Sequence, residues 1–378
     1  MSTFERHPST VADYDDARRR ARLRETRVGL RRWGRVRMMA MRAVGVVLVG
    51  LIVFAQYWKY DVMPERARLE QTAPDLLPVS LPADSRDWDT AVVDLVGLGG
   101  VNAVPTASAL PVLNRLGVVW AVRYDDAGID TKVIADMIVR AARYGAVRNI
   151  VLVGHSMGGV VALEVARHIH LGSDRRLVGV VLDCTPIDLH AVRPESRSRG
   201  AELLRWTGWL PGARESRLLR FTVEMAARRE RFTVPGAPLP GIDFGALREV
   251  AEEVLRDKIF SENAASNGLI ESQFLAIVAG GGTADLRALA RPNPDRESPA
   301  IVFIRPGDAA RDDVVDVEYS RRVLAEHAGG VDGNLLVVRA NGTGHANPIQ
   351  RPREYNAAIE SQVLPFLFRY QQAVRDRR

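Results

Sequence analysis

Asn149-Ile150-Val151-Leu152-Val153-Gly154-His155-Ser156-Met157-Gly158-Gly159-Val160-Val161-Ala162-Leu163 is the stretch whose reading decides the fold. Ile150 to Val153 is apolar throughout and rich in β-branched residues, the pattern of a strand buried on both faces. Gly154, Gly158 and Gly159 interrupt the run, and Val160 to His170 resumes at helical spacing. Strand, tight glycine turn and helix together turn Gly-x-Ser-x-Gly into a nucleophile elbow. Glycines two before and two after the serine let strand and helix approach without Cβ clashes, while the serine takes a strained backbone angle. Ser156 is thereby expected at the C-terminal edge of a parallel sheet and at a helix N-terminus, whose dipole favours developing negative charge.

The flanking chain extends this pattern. Strand-like runs are Thr90 to Val96, Val118 to Arg123, Ile150 to Val153, Leu177 to Leu182, Ile301 to Ile304 and Leu335 to Val338. Helical patterns are Ala107 to Leu116, Lys132 to Tyr144, Val160 to His170, Val317 to His327 and Arg353 to Tyr370. Such alternation predicts an α/β fold with a mostly parallel sheet and helices on both faces. Between Asp183 and Ile301 the rhythm breaks for over a hundred residues that read helical and irregular. That is too long for a loop and fits an inserted helical cap over the strand ends. The domain reading is a core of residues 90–185 and 300–378 with a cap or lid at 186–299.

The chain has 378 residues and a net charge of +6, but the charge is uneven. Residues 1–42 carry 12 arginines and five acidic residues, a local net of +7, so the remainder is close to neutral. The body therefore lacks the basic face of a nucleic-acid binder. Cys184 is the only cysteine, which excludes an intrachain disulfide.

Residues 1–37 read as a basic tail. From Ala43 to Trp58 run 16 uncharged residues, about 24 Å of helix, short of a hydrocarbon core of ~30 Å. Taking in Met38 to Met41, with Arg42 snorkelling toward the headgroups, gives a 38–58 span of 21 residues, about 31 Å long. Tyr57, Trp58 and Tyr60 stand where an interfacial aromatic belt belongs. The excess of arginine before the span puts the N-terminus in the cytoplasm and the body outside that membrane. Contact of the basic tail with anionic lipid alone is a second reading. A cleaved signal peptide ending near Val53-Phe54-Ala55 is a third, opposed by a polar n-region more than 40 residues long. Residues 59–89, rich in Pro and Asp, read as a linker.

A serine hydroxyl needs a base within hydrogen-bond reach, itself oriented by a carboxylate. His345, in Asn341-Gly342-Thr343-Gly344-His345-Ala346-Asn347-Pro348, follows the last strand-like run and so reaches the same sheet edge as Ser156. His155 lies inside the elbow and is expected to point away; His190 and His327 are weaker rivals. The acid lies in Arg305-Pro306-Gly307-Asp308-Ala309-Ala310-Arg311-Asp312-Asp313-Val314-Val315-Asp316. Asp312, two residues before the Val-Val pair that leads into a helix, is preferred, with Asp308 as the alternative and Asp183 third. Oxyanion donors are the N–H of Met157, after the serine, and that of Leu98 in Gly97-Leu98-Gly99-Gly100. The same loop lacks the Gly-x-Gly-x-x-Gly spacing of a dinucleotide site, and neither a cofactor nor a metal is expected.

The Gly154-His155-Ser156-Met157-Gly158-Gly159 elbow, the Gly-Leu-Gly-Gly loop and the Gly344-His345 loop together resemble the serine α/β-hydrolase superfamily, including esterases, lysophospholipases and monoacylglycerol lipases. The likeness spans roughly residues 90–185 and 300–370, in the order Ser, Asp, His. It implies an α/β-hydrolase fold, an acyl-enzyme mechanism and a helical cap between the sixth and seventh strands. Val96 stands where many members have His, the acid loop is longer than Gly-x-x-Asp, and residues 61–90 leave little room for antiparallel first strands. The function expected is a membrane-anchored serine hydrolase of carboxylic, lipid-like esters. A catalytically silent body binding lipid or protein, and an acyltransferase using the same residues, are the alternatives.

Overall fold

The computed structural model describes residues 16–84, 87–234, 241–291, 293, 296–329 and 334–376. The first fifteen residues of the basic tail lie outside them. Two units divide the chain, Met1–Tyr60 and Asp61–Arg378. Among its described residues the first holds one helix, α1 (Asp16–Tyr57), whose apolar stretch is exposed; a π turn at Trp58–Val62 follows. By length and composition this helix is able to cross a membrane, the one such helix among the described residues.

The second unit opens with α2 (Met63–Leu69) and β1 (Asp75–Ser80). Both fall in the stretch read as a linker, and the structure corrects that reading. The Asp61 carboxylate accepts from Ser216 Oγ at 2.5 Å and from the N–H groups of Arg217 and Leu218 at 3.1 and 3.2 Å. Arg66 pairs with Glu215 at 3.0 Å, and Arg68 with Glu65 and Asp126. Pro78 sits in β1, an edge strand, the place in a sheet where a residue without an N–H is tolerated.

The chain then alternates. β2 (Thr90–Leu95) leads to α3 (Val104–Ala109) and a 3₁₀ turn (Pro111–Arg115), and β3 (Val118–Arg123) to α4 (Thr131–Tyr144). The single helix expected from Ala107 to Leu116 is thus two pieces. Pro111, lacking an N–H and clashing with a preceding turn, starts the second. β4 (Asn149–His155) runs into α5 (Met157–Gly172), and β5 (Arg176–Asp183) follows.

Between β5 and the next core strand come α6 (Pro194–Trp209), α7 (Arg217–Ala227), a small hairpin of β6 (Thr233–Val234) with β7 (Gly241–Ile242), α8 (Phe244–Val254), α9 (Asn267–Ala279) and α10 (Gly282–Ala290). Ser216, Asp243 and Ser266 cap α7, α8 and α9 through their side-chain oxygens. The side chains of Leu203 and Trp206, in α6, lie outside the described residues. β8 (Ala300–Pro306), α11 (Val317–Leu324), β9 (Leu335–Ala340), α12 (Pro352–Ala358) and α13 (Leu364–Asp376) complete the unit.

Seven strands form the sheet in the order β1-β3-β2-β4-β5-β8-β9; β1 is antiparallel and the others are parallel. Two apolar layers cover it, one around α4, α5 and α9, the other around α3, α12 and α13. β4 lies at the centre, buried at every residue, so its C-terminal end opens where the strand order reverses.

Candidate active site

Ser156 stands between β4 and α5 with φ 54° and ψ −121°, a conformation that costs a non-glycine residue strain. The turn closes around it because nothing larger than hydrogen fits beside it. A Cβ on Gly154 would lie 2.5 Å from Gly158 O and from Gly159 Cα, and one on Gly158 would strike the carbonyls of Leu95 and Val96. Ser156 N–H donates to Asp183 O at 2.7 Å, which pins the turn to the end of β5.

His345 reaches the serine from the loop after β9. Its Nε2 lies 2.8 Å from Ser156 Oγ, and its Nδ1 lies 2.9 Å from Asp312 Oδ2. The pattern fits a neutral imidazole whose Nδ1–H donates to the carboxylate, leaving Nε2 to accept from the hydroxyl. Asp312 is fully buried, and its other oxygen accepts from the N–H groups of Val314 at 3.1 Å and Val315 at 2.8 Å. Arg193 fastens the same loop from outside, donating to Asp312 O at 2.7 Å and to Ala309 O at 3.3 Å.

The other aspartates do local work. Exposed Asp308 caps the short 3₁₀ turn Ala309–Arg311, and Asp316 caps α11. Asp183 accepts from His155 instead, Nδ1 to Oδ2 at 2.9 Å, while His155 Nε2 sits 3.3 Å from Asp94 Oδ1. Burial alone lowers the pKa of His155, but Asp94 and Asp183 outweigh it and push it up to about 10. Tyr355 OH donates to Asp183 Oδ1 at 3.0 Å and accepts from Asn347 N–H at 3.2 Å, which joins this buried ionic group to the His345 loop. Sequence reasoning missed that group. Asp94 inside an otherwise apolar strand was its only signal.

Met157 opens α5, where backbone N–H groups have no partner inside the helix. Leu98 is in the turn Gly97–Gly100, closed by Gly100 N–H on Gly97 O at 3.2 Å. This turn abuts the serine, since a Cβ on Gly97 would lie 3.3 Å from Ser156 Cβ. Gly97, Leu98, Ser156, His345, Phe274 and Ile277 are among the residues lining a largely apolar pocket of about 400 Å³. A larger hollow of about 710 Å³, bordered by Glu65, Arg68, Asp126 and Arg217, contains neither Ser156 nor His345.

Cys184, Asp312 and His345 bring donor atoms within 4.8 Å of one another, a spacing a metal ion could use. Two of those groups are already bonded to each other, and burial, with Asp183 and Asp312, raises the thiol pKa and keeps it neutral. The donor set is thus already joined in a hydrogen-bonded chain with Ser156, with a neutral thiol beside it.

The family profile of the alpha/beta hydrolases matches residues 46–358, and the chain belongs to that family. No curated protein matches it. Solved structures similar to it include an esterase from Exiguobacterium antarcticum, 14% identical, with 77% of this chain and 96% of that one covered and a TM-score of 0.48. A monoacylglycerol lipase from Paleococcus ferrophilus is 14% identical over 79% and 99% of the two chains, TM-score 0.46. A proline iminopeptidase from Mycobacterium smegmatis is 13% identical over 81% and 98%, TM-score 0.45. At this distance their substrates say nothing about the substrate of this chain.

Proposed function

We propose that the protein is a membrane-anchored serine hydrolase that cleaves carboxylic, lipid-like esters through an acyl-enzyme. The observation that carries this reading is the continuous relay Ser156 Oγ, His345 and Asp312, with links of 2.8 and 2.9 Å, at a strained strand-to-helix turn. In it, Ser156 Oγ attacks the ester carbonyl carbon as its proton passes to His345 Nε2. The carbonyl oxygen becomes an oxyanion facing the N–H groups of Met157 and Leu98. Collapse breaks the acyl–oxygen bond, and His345 returns the proton to the departing alcohol. Water, deprotonated by the same nitrogen, then attacks the acyl group and releases the acid and free Ser156. Asp312 orients the ring and stabilises the imidazolium formed in both halves.

The apolar pocket wall supports an apolar acyl group, and the 38–58 segment supports a substrate taken from the bilayer. In this reading residues 1–37 are cytoplasmic and the hydrolase body lies on the other side. The helices between β5 and β8 serve as its cap, residues 186–299. Replacing Ser156 with Ala in the full chain tests the chemistry. Turnover of p-nitrophenyl esters and labelling by a fluorophosphonate are expected to vanish while the melting temperature holds. Labelling that persists in this variant rules out Ser156.

A further inference from the structure

Gln273 is fully buried in α9, a helix of the insertion, yet its amide is spent on the glycine turn that carries Leu98. Its Oε1 accepts from Gly99 N–H at 2.8 Å, and its Nε2 donates to Gly100 O at 2.8 Å. One side chain thus mimics the edge of a strand, satisfying a donor and an acceptor of successive residues. The turn needs such help. Gly99 has φ +84°, a region open to glycine but not enforced by it, so the sequence permits this turn without fixing it. Beyond its own Gly100 N–H bond to Gly97 O, the turn is also tied by the segment leading into α9: Ala265 N–H donates to Gly99 O at 3.3 Å, and Ala264 bridges Gly100. On the flanks of Gln273, Ser272 Oγ accepts from Ile129 N–H at 2.9 Å, and Phe274 lines the pocket beside Ser156.

We infer that Gln273 is a positioning residue: by clamping Gly99 and Gly100 it aims the Leu98 N–H, so the oxyanion site is complete only with α9 seated on the core. This rests on the serine-hydrolase reading above. A donor in an oxyanion site acts through its direction, and a small displacement of the peptide that carries it weakens the transition state more than the bound ester. Loss of the clamp is therefore expected to act on kcat and to leave KM nearly untouched.

The experiment compares the full-length wild type with Gln273→Ala and Gln273→Glu. The glutamate keeps the side chain's size and the acceptor for Gly99 N–H but has no donor for Gly100 O. Each is assayed on a p-nitrophenyl ester and against a trifluoromethyl ketone, whose serine adduct carries an oxyanion. For the alanine variant we expect kcat to fall by about tenfold or more with KM within about threefold. The ketone's inhibition constant is expected to weaken by the same factor as kcat, and the glutamate variant to fall between. If the alanine variant fails to fold, the same comparison is made with glutamate. Variants that keep wild-type kcat and wild-type affinity for the ketone, or that lose only thermal stability, overturn the inference. A wild type without Ser156-dependent labelling overturns the hydrolase reading itself, and so the two failures are distinguishable.

Discussion

Replacing Asp312 with Asn isolates the role of one carboxylate, because its two oxygens have different partners. Oδ1 takes the N–H groups of Val314 and Val315, and Oδ2 takes His345 Nδ1. An amide has one oxygen to offer. Turning its NH₂ toward the two valines leaves both N–H groups unpaired, and the buried one, of Val315, alone costs ~1–3 kcal/mol. The oxygen therefore stays on the valines and the NH₂ faces His345. The ring then accepts at Nδ1 and carries its hydrogen on Nε2, directly against Ser156 Oγ, where it cannot take the serine proton. Losing the correct tautomer in such a relay lowers kcat about 10⁴-fold, on the order of 5 kcal/mol of barrier. The fold should hardly notice, since the bonds to the valines survive. Steady-state ester hydrolysis and a urea titration of the two proteins measure both effects, with Asp308→Asn as the control. Asp308 is exposed and accepts from Ala310 N–H, a cap that asparagine replaces well. An Asp312→Asn enzyme within about tenfold of wild type would refute the tautomer argument.

The buried imidazole of His155 makes stability depend on alkaline pH. Its folded pKa of about 10 lies above the unfolded value near 6.5, so its contribution is complete below the lower value and is lost as pH climbs through the higher. Between pH 7 and 10 the wild type should lose on the order of a few kcal/mol more unfolding free energy than His155→Gln, and parallel urea titrations would contradict a charged ring. For the anchor, the full chain should stay with membranes through alkaline carbonate. An Ala67→Cys, Cys184→Ala variant, with Ala67 exposed, should react with an impermeant maleimide in intact cells; protection there would reverse the orientation.

How much could be read from the sequence depended on how local each cause was. Ser156 stands out because the strand, three glycines and the helix that make its geometry lie within fifteen residues. Asp312 is separable from Asp308 only through the Val314 and Val315 amides it caps, a cue present in the spacing before the Val-Val pair. β1 escaped notice because an edge strand with Pro78 and half-exposed residues shows no clean alternation. Gln273 and the Asp94–His155–Asp183 group were illegible for a different reason. Their partners lie up to 174 residues away, and a glutamine in an apolar helix pattern reads as any other polar position.

The ties of Asp61, Arg66 and Arg68 to Glu215, the first turn of α7 and Asp126 fix where the folded body can be cut. A chain trimmed to begin at Asp61 keeps that fastening whole. One begun at Glu70, inside the stretch 59–89 that composition reads as a linker, discards it. It leaves the first amides of α7 without their carboxylate and Glu215 without its arginine.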